Sequence, residues 1–231
     1  MRTLILSVLI SILSILLIPV LIICCIIKYS QPLILIGRFG LHLGQKILGI
    51  SLDVDGLERI NRKTSYVFMA NHLSFMDGPM LFLLIPHPVR VLLKKEAFRI
   101  PIIGHGMRCA DFVPVDRKGL KGAKQSIDKA TRLMKEKGYS FLIFPEGTRS
   151  RNGSLQPFKR GGFFLATNSQ VPIVPVTIKG SFELMPRGNF FIKKGKIKVT
   201  FHEPVSVKGF DRNNLSALSK KVETIIRTGL D

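Results

Sequence analysis

Tryptophan is absent from the 231 residues, and tyrosine and cysteine occur only three times each. Few aromatic side chains interleave the basic stretches, so a platform on which nucleic-acid bases could stack, and with it a nucleic-acid partner, is not expected. Cys24 and Cys25 fall inside an apolar run and Cys109 has no cysteine near it in sequence. Neither a disulfide framework nor a zinc site is therefore expected, in keeping with a reducing cytoplasm. Acidic residues are also scarce, with 15 Asp and Glu against 35 Lys and Arg, a net charge of +20. Acidic partners follow from that balance, and nucleic acid and anionic membrane both have the charge.

The first 27 residues favour the membrane. From Thr3 to Ile27 no residue is charged, and most are Leu, Ile or Val. At about 1.5 Å per residue such a helix exceeds the roughly 20 residues that cross a bilayer core. A cleaved signal peptide would show a shorter apolar region and a small-x-small site, whereas Cys24-Cys25-Ile26-Ile27-Lys28-Tyr29 follows here. Every lysine and arginine except Arg2 lies beyond the run. That asymmetry puts the bulk of the chain in the cytoplasm, in a bacterium at the inner membrane. A second stretch beginning at Pro32, with Phe39, Leu41, Leu43, Ile47 and Leu48, has the pattern of an interfacial helix. Residues 1–50 are thus expected to anchor a catalytic domain over 51–231.

That domain reads as α/β, with a central, mostly parallel or mixed sheet flanked by helices. Strands are expected at Ser51–Asp55, Ser65–Ala70, Val89–Leu93, Tyr139–Phe144 and Val171–Ile178. Lys196 to His202 alternates apolar and polar residues as an edge strand with one wet face would. Leu120, Ala123, Ile127, Ala130, Leu133 and Met134 recur at helical steps, and Gly138 stands where a left-handed cap would close that helix. Met80–Ile85 and Leu215–Ile226 complete the helical segments, and Pro172 and Pro175 mark a bulge or an edge.

Two clusters carry chemistry. His72 stands five residues before Asp77, just past an apolar run. A carboxylate within reach of an imidazole fixes its tautomer and stabilises its protonated form, as a general base requires. Asn71 and Ser74 either start a helix or shape the turn around His72. Phe144-Pro145-Glu146-Gly147-Thr148-Arg149-Ser150 follows another strand and offers an arginine suited to planar recognition of phosphate. Base and anion clamp together point to a hydroxyl on a phosphorylated molecule as nucleophile. No G-x-S-x-G elbow occurs, and Ser74 has no separate base, so no covalent acyl-enzyme is expected.

From Gly56 to Pro204 the chain resembles the glycerolipid acyltransferases. The resemblance rests on four blocks in order: His72-x4-Asp77, the arginine-ended Asp111–Arg117 segment, Phe144–Ser150, and Val171–Val176. It implies transfer of a fatty acyl group from acyl-CoA or acyl-acyl carrier protein to the sn-2 hydroxyl of lysophosphatidic acid, yielding phosphatidic acid. His72 would be the base, oriented by Asp77. Glu146, Gly147, Thr148 and Arg149 would form the acceptor pocket, with Arg117 as a second arginine on the phosphate. Lys94 or its neighbour Lys95 would lie near that phosphate, Lys94 matching the pattern better. Pro114 departs from the pattern, which has an apolar strand residue there. The resemblance requires no metal and no bound cofactor, and implies lysophosphatidic acid, the thioester donor and membrane lipid as partners. It also suggests a paired-helix anchor dipping into one leaflet as an alternative to a span. Two other readings remain at this stage: a different lysolipid acceptor, and a non-catalytic basic module that binds lipid.

Overall fold

The computed structural model describes residues 2–16, 18–27, 29–116 and 119–230. Three helices lead: α1 (Arg2–Leu16), α2 (Ile18–Ile26) and α3 (Gln31–Leu48). There follow β1 (Ile50–Asp55), β2 (Val67–Ala70), α4 (Asp77–Leu84), β3 (Val89–Lys94), α5 (Ile103–Cys109), β4 (Val113–Val115) and α6 (Leu120–Lys137). The chain ends with β5 (Ser140–Ile143), α7 (Gly161–Ser169), β6 (Ile173–Lys179), α8 (Ser181–Leu184), β7 (Gly195–Phe201) and α9 (Leu215–Thr228).

Among the described residues seven strands form one sheet in the order β1-β7-β6-β2-β5-β3-β4. All neighbours are parallel except β6 and β7, so the sheet is mixed. Strands β2, β5 and β6 are apolar runs because both their faces are covered. Phe68 and Ala70 of β2, with Leu142 of β5, join the core beneath α4, while Val67, Met69, Phe141 and Ile143 pack toward α6, α7 and α9.

The alternating strand is not at an edge. β7 buries Ile197, Val199 and Phe201 and exposes Lys196 and Lys198, but β1 pairs along its outer side. Alternation reports a wet face, not an unpaired border. Pro175 sits in β6 between the Val176–Phe201 pair and the Ile173–Val205 bridge, a break in the ladder that tolerates a missing N–H.

The expected single anchor helix is interrupted. No described helix is long and apolar enough to cross a bilayer by itself; α1 and α2 in series have the length and composition, but a 50° bend separates them. Pro19 in the first turn of α2 supplies the reason, since its ring clashes with a carbonyl of the preceding turn. α3 is not purely interfacial either. Leu48 is buried and Ile34 and Leu41 pack on the core, while Leu35, Phe39 and Leu43 face outward. The cysteine expectation is also corrected: Cys25 of α2 and Cys109 of α5 form a disulfide, with Cα atoms 5.4 Å apart. Their separation of 84 residues hid a pairing that packing of α2 on α5 creates.

Candidate active site

Parallel strands β2, β5, β3 and β4 direct their carboxyl ends to one border of the sheet, where loops of an α/β fold commonly build sites. His72 follows β2 and Asp77 opens α4. In that helix Gly78 and Pro79 occupy the first turn, where a missing N–H leaves no helical bond unmade. Asp77 is fully buried, and its Oδ2 accepts the backbone N–H of Leu73 and of Ser74, each at 2.7 Å. The same oxygen lies 3.0 Å from His72 Nδ1. Being acceptor-only, the carboxylate holds the proton on Nδ1 and leaves Nε2 with a lone pair. The imidazole stacks on Phe144, the centroids 4.0 Å apart and the planes 17° from parallel.

Glu146, after β5, fastens the second loop to the first. Its Oε1 accepts the His72 backbone N–H at 2.6 Å and its Oε2 that of Gln156 at 3.0 Å. The carboxylate is buried rather than paired with Arg149. Burial raises its pKa to about 7, with the nearby Asp77 charge adding to the rise and the two N–H donors opposing it. A further bond joins the Ser150 N–H to the His72 carbonyl at 2.8 Å. Gly147 has φ +72°, and a side chain there would press on Lys159 at 3.1 Å. Thr148 is exposed and accepts a bond from Arg187 Nη1 at 3.3 Å, and the same nitrogen reaches the Arg149 carbonyl at 3.2 Å. The half-buried Arg149 guanidinium lies 6.0 Å from the centre of the Phe75 ring.

His72, Asp77, Glu146 and the 147–149 turn therefore meet. Lys94 ends β3 on the same border, exposed and 3.6 Å from Glu96, while Lys95 reaches Asp116 at 3.4 Å. Arg117 lies outside the described residues. Asn71 serves the loop, whereas Ser74 also stands at the entry to α4, where its Oγ accepts the Met76 N–H at 3.2 Å. Asn71 exchanges hydrogen bonds with the backbone of Ile178, and Ser74 donates to the Met185 carbonyl at 2.9 Å. Phe144 and Arg187 escaped sequence reasoning. Phe144 opens the Phe144–Ser150 block, where its apolar side chain gives no sign of a role of its own, and Arg187 carries no local signal.

A family model described as "Acyltransferase" matches residues 51–179. The chain belongs to the acyltransferase family. It is 36% identical over 155 residues to the Brassica napus chloroplastic 1-acyl-sn-glycerol-3-phosphate acyltransferase BAT2, covering 66% of this chain and 44% of that one. It is 30% identical over 193 residues to a Borreliella burgdorferi protein of the same activity name, covering 78% and 74% of the two chains. The fold matches that of the 1-acyl-sn-glycerophosphate acyltransferase PlsC from Thermotoga maritima, with a TM-score of 0.83 at 25% identity, over 99% of this chain and 92% of that one. Matched segments span 44% of the Brassica napus relative and 63% of a Limnanthes douglasii relative.

Proposed function

We propose that the protein transfers a fatty acyl group from a thioester, acyl-CoA or acyl-acyl carrier protein, to the sn-2 hydroxyl of 1-acyl-sn-glycerol-3-phosphate. The observation that carries this reading is the His72 Nδ1–Asp77 contact of 3.0 Å, with the Glu146–Arg149 turn hydrogen-bonded to the same loop. In this reading Nε2 of His72 removes the hydroxyl proton as the oxygen attacks the thioester carbonyl. The tetrahedral intermediate collapses, the carbon–sulfur bond breaks, and the imidazolium returns its proton to the departing thiolate. Phosphatidic acid and a free thiol result, with no covalent enzyme intermediate and no metal or resident cofactor in the scheme.

Arg149 holds the acceptor phosphate, assisted by Arg117 and Lys94, and Gly147 and Thr148 form the pocket floor. Its exposure of Leu4, Ile5, Val8 and Ile12 on α1 and of Ile22, Ile23 and Ile26 on α2 supports residues 1–50 as a membrane anchor for a domain over 51–231. The catalytic domain then faces the cytoplasm and meets a lysolipid already dissolved in the bilayer.

His72→Ala lowers transfer to labelled lysophosphatidic acid by at least about 10²-fold while membrane association and folding persist. Unchanged turnover in that variant would reject the mechanism. Competition between lysophosphatidic acid and lysolipids lacking a phosphate monoester tests the acceptor, and equal use of both would reject the phosphate clamp.

A further inference from the structure

The segment 185–194, between α8 and β7, places two aromatic rings in the open. Phe190 is 81% exposed and Phe191 66%. This is an ordered turn: the Asn189 N–H bonds to the Pro186 carbonyl at 3.1 Å, Gly188 takes φ +93°, and the Phe191 N–H bonds to Asn189 Oδ1 at 3.0 Å. Its stem is held inward, since Met185 and Ile192 pack on the core and the Lys193 N–H bonds to the Leu184 carbonyl at 3.0 Å. With the stem fixed and the turn tied, the two rings project from the surface.

Charge identifies what covers them. Arg187, Lys193 and Lys194 flank the rings and are exposed, and no acidic residue occurs from Leu184 to His202. Apolar rings flanked in sequence by cations match an anionic bilayer surface, where rings enter the interface and the cations meet phosphates. The location agrees. Gly195 donates to the Gly49 carbonyl at 3.2 Å, joining the base of the segment to the end of α3, whose outer surface carries Leu35, Phe39 and Leu43.

We propose that residues 185–194 form a membrane-insertion loop, with Phe190 and Phe191 entering the interface of an anionic bilayer and Arg187, Lys193 and Lys194 engaging its phosphates. The loop is a second attachment point, separate from the N-terminal helices. It is also mechanically joined to the site. Arg187 bonds to Thr148 and Arg149, and the Met185 carbonyl accepts from Ser74 in the His72 loop. Insertion therefore sets the border of the sheet bearing His72 against the lipid headgroups. The inference does not depend on the acyl-transfer reading, because its readout is insertion alone.

The chain has no tryptophan, so Phe190→Trp creates a single fluorescent reporter in the full-length protein. Vesicles of phosphatidylcholine with phosphatidylglycerol are expected to shift its emission to the blue, and lipids brominated on their acyl chains to quench it. A Phe210→Trp control, packed against the core on the other side of the sheet, is expected to remain unquenched. In the Phe190→Trp protein, Lys193→Gln with Lys194→Gln is expected to weaken quenching on anionic vesicles. If vesicle-bound Phe190→Trp protein keeps water-like, unquenched emission, the loop does not insert and the proposal fails. Equal quenching on pure phosphatidylcholine and with both lysines neutralised would overturn the role given to charge.

Discussion

At the scale of single residues, Asp77 and Glu146 are two buried carboxylates given different work by their neighbours. Asp77 Oδ2 meets two backbone N–H donors and the His72 ring. Asp77→Asn offers one oxygen and an NH2 group in place of that acceptor set and releases the imidazole tautomer. We expect kcat to fall by about 10²–10⁴-fold, with about 1–3 kcal/mol lost in denaturant unfolding. The stability that Glu146 contributes depends on pH. Its folded pKa of about 7 exceeds the ordinary value of 4.5, so the folded protein binds the extra proton. Its contribution to stability is therefore fully present below pH 4.5 and is lost as pH rises to about 7, by up to about 3 kcal/mol. Glu146→Gln is expected to flatten that interval of the stability–pH curve, measured by urea unfolding from pH 4.5 to 8. An unchanged slope would assign the interval to other groups.

Among elements, α3 has the closest tie to the helix that carries Asp77. Arg38 Nη2 donates to the carbonyls of Leu83 and Ile85 at 2.8 Å each, closing the carboxyl end of α4. Burial lowers the Arg38 pKa, yet an arginine remains charged throughout the physiological range. Arg38→Met keeps the apolar stem and removes the donors. It is expected to destabilise the protein by about 1–3 kcal/mol, read as a lower urea midpoint. Most elements were legible locally. The α6 stripe and its Gly138 closure, the apolar runs of β2 and β5, and the terminal α9 each announce their period. The misread elements needed information from elsewhere in the chain. β7 looked like an edge because its wet face gave the same alternation, and only β1, more than a hundred residues earlier, covers its border.

For the whole molecule, the Cys25–Cys109 disulfide ties the N-terminal helix α2 to α5 of the body. A Cys25→Ser variant is expected to lose roughly 2–4 kcal/mol of stability under oxidising conditions. A non-reducing digest of the unaltered protein should contain the peptides joined through these residues. Their absence under oxidising conditions would show the thiols to be separate in solution.

Local composition and spacing by themselves determined the α/β class, the apolar N-terminal run, the basic surface, and the candidate residues His72, Asp77 and Arg149, to which the family resemblance added Glu146. Those features are carried by neighbours within a few positions, which is the range over which periodicity and turn chemistry act. Tertiary structure alone decided that the loops after β2 and β5 share hydrogen bonds, that Phe144 lies against the imidazole, that Arg187 braces the Arg149 turn, and that two cysteines 84 residues apart meet. Such contacts depend on strand order and crossovers, and pairings between distant segments leave no trace in the spacing of either one.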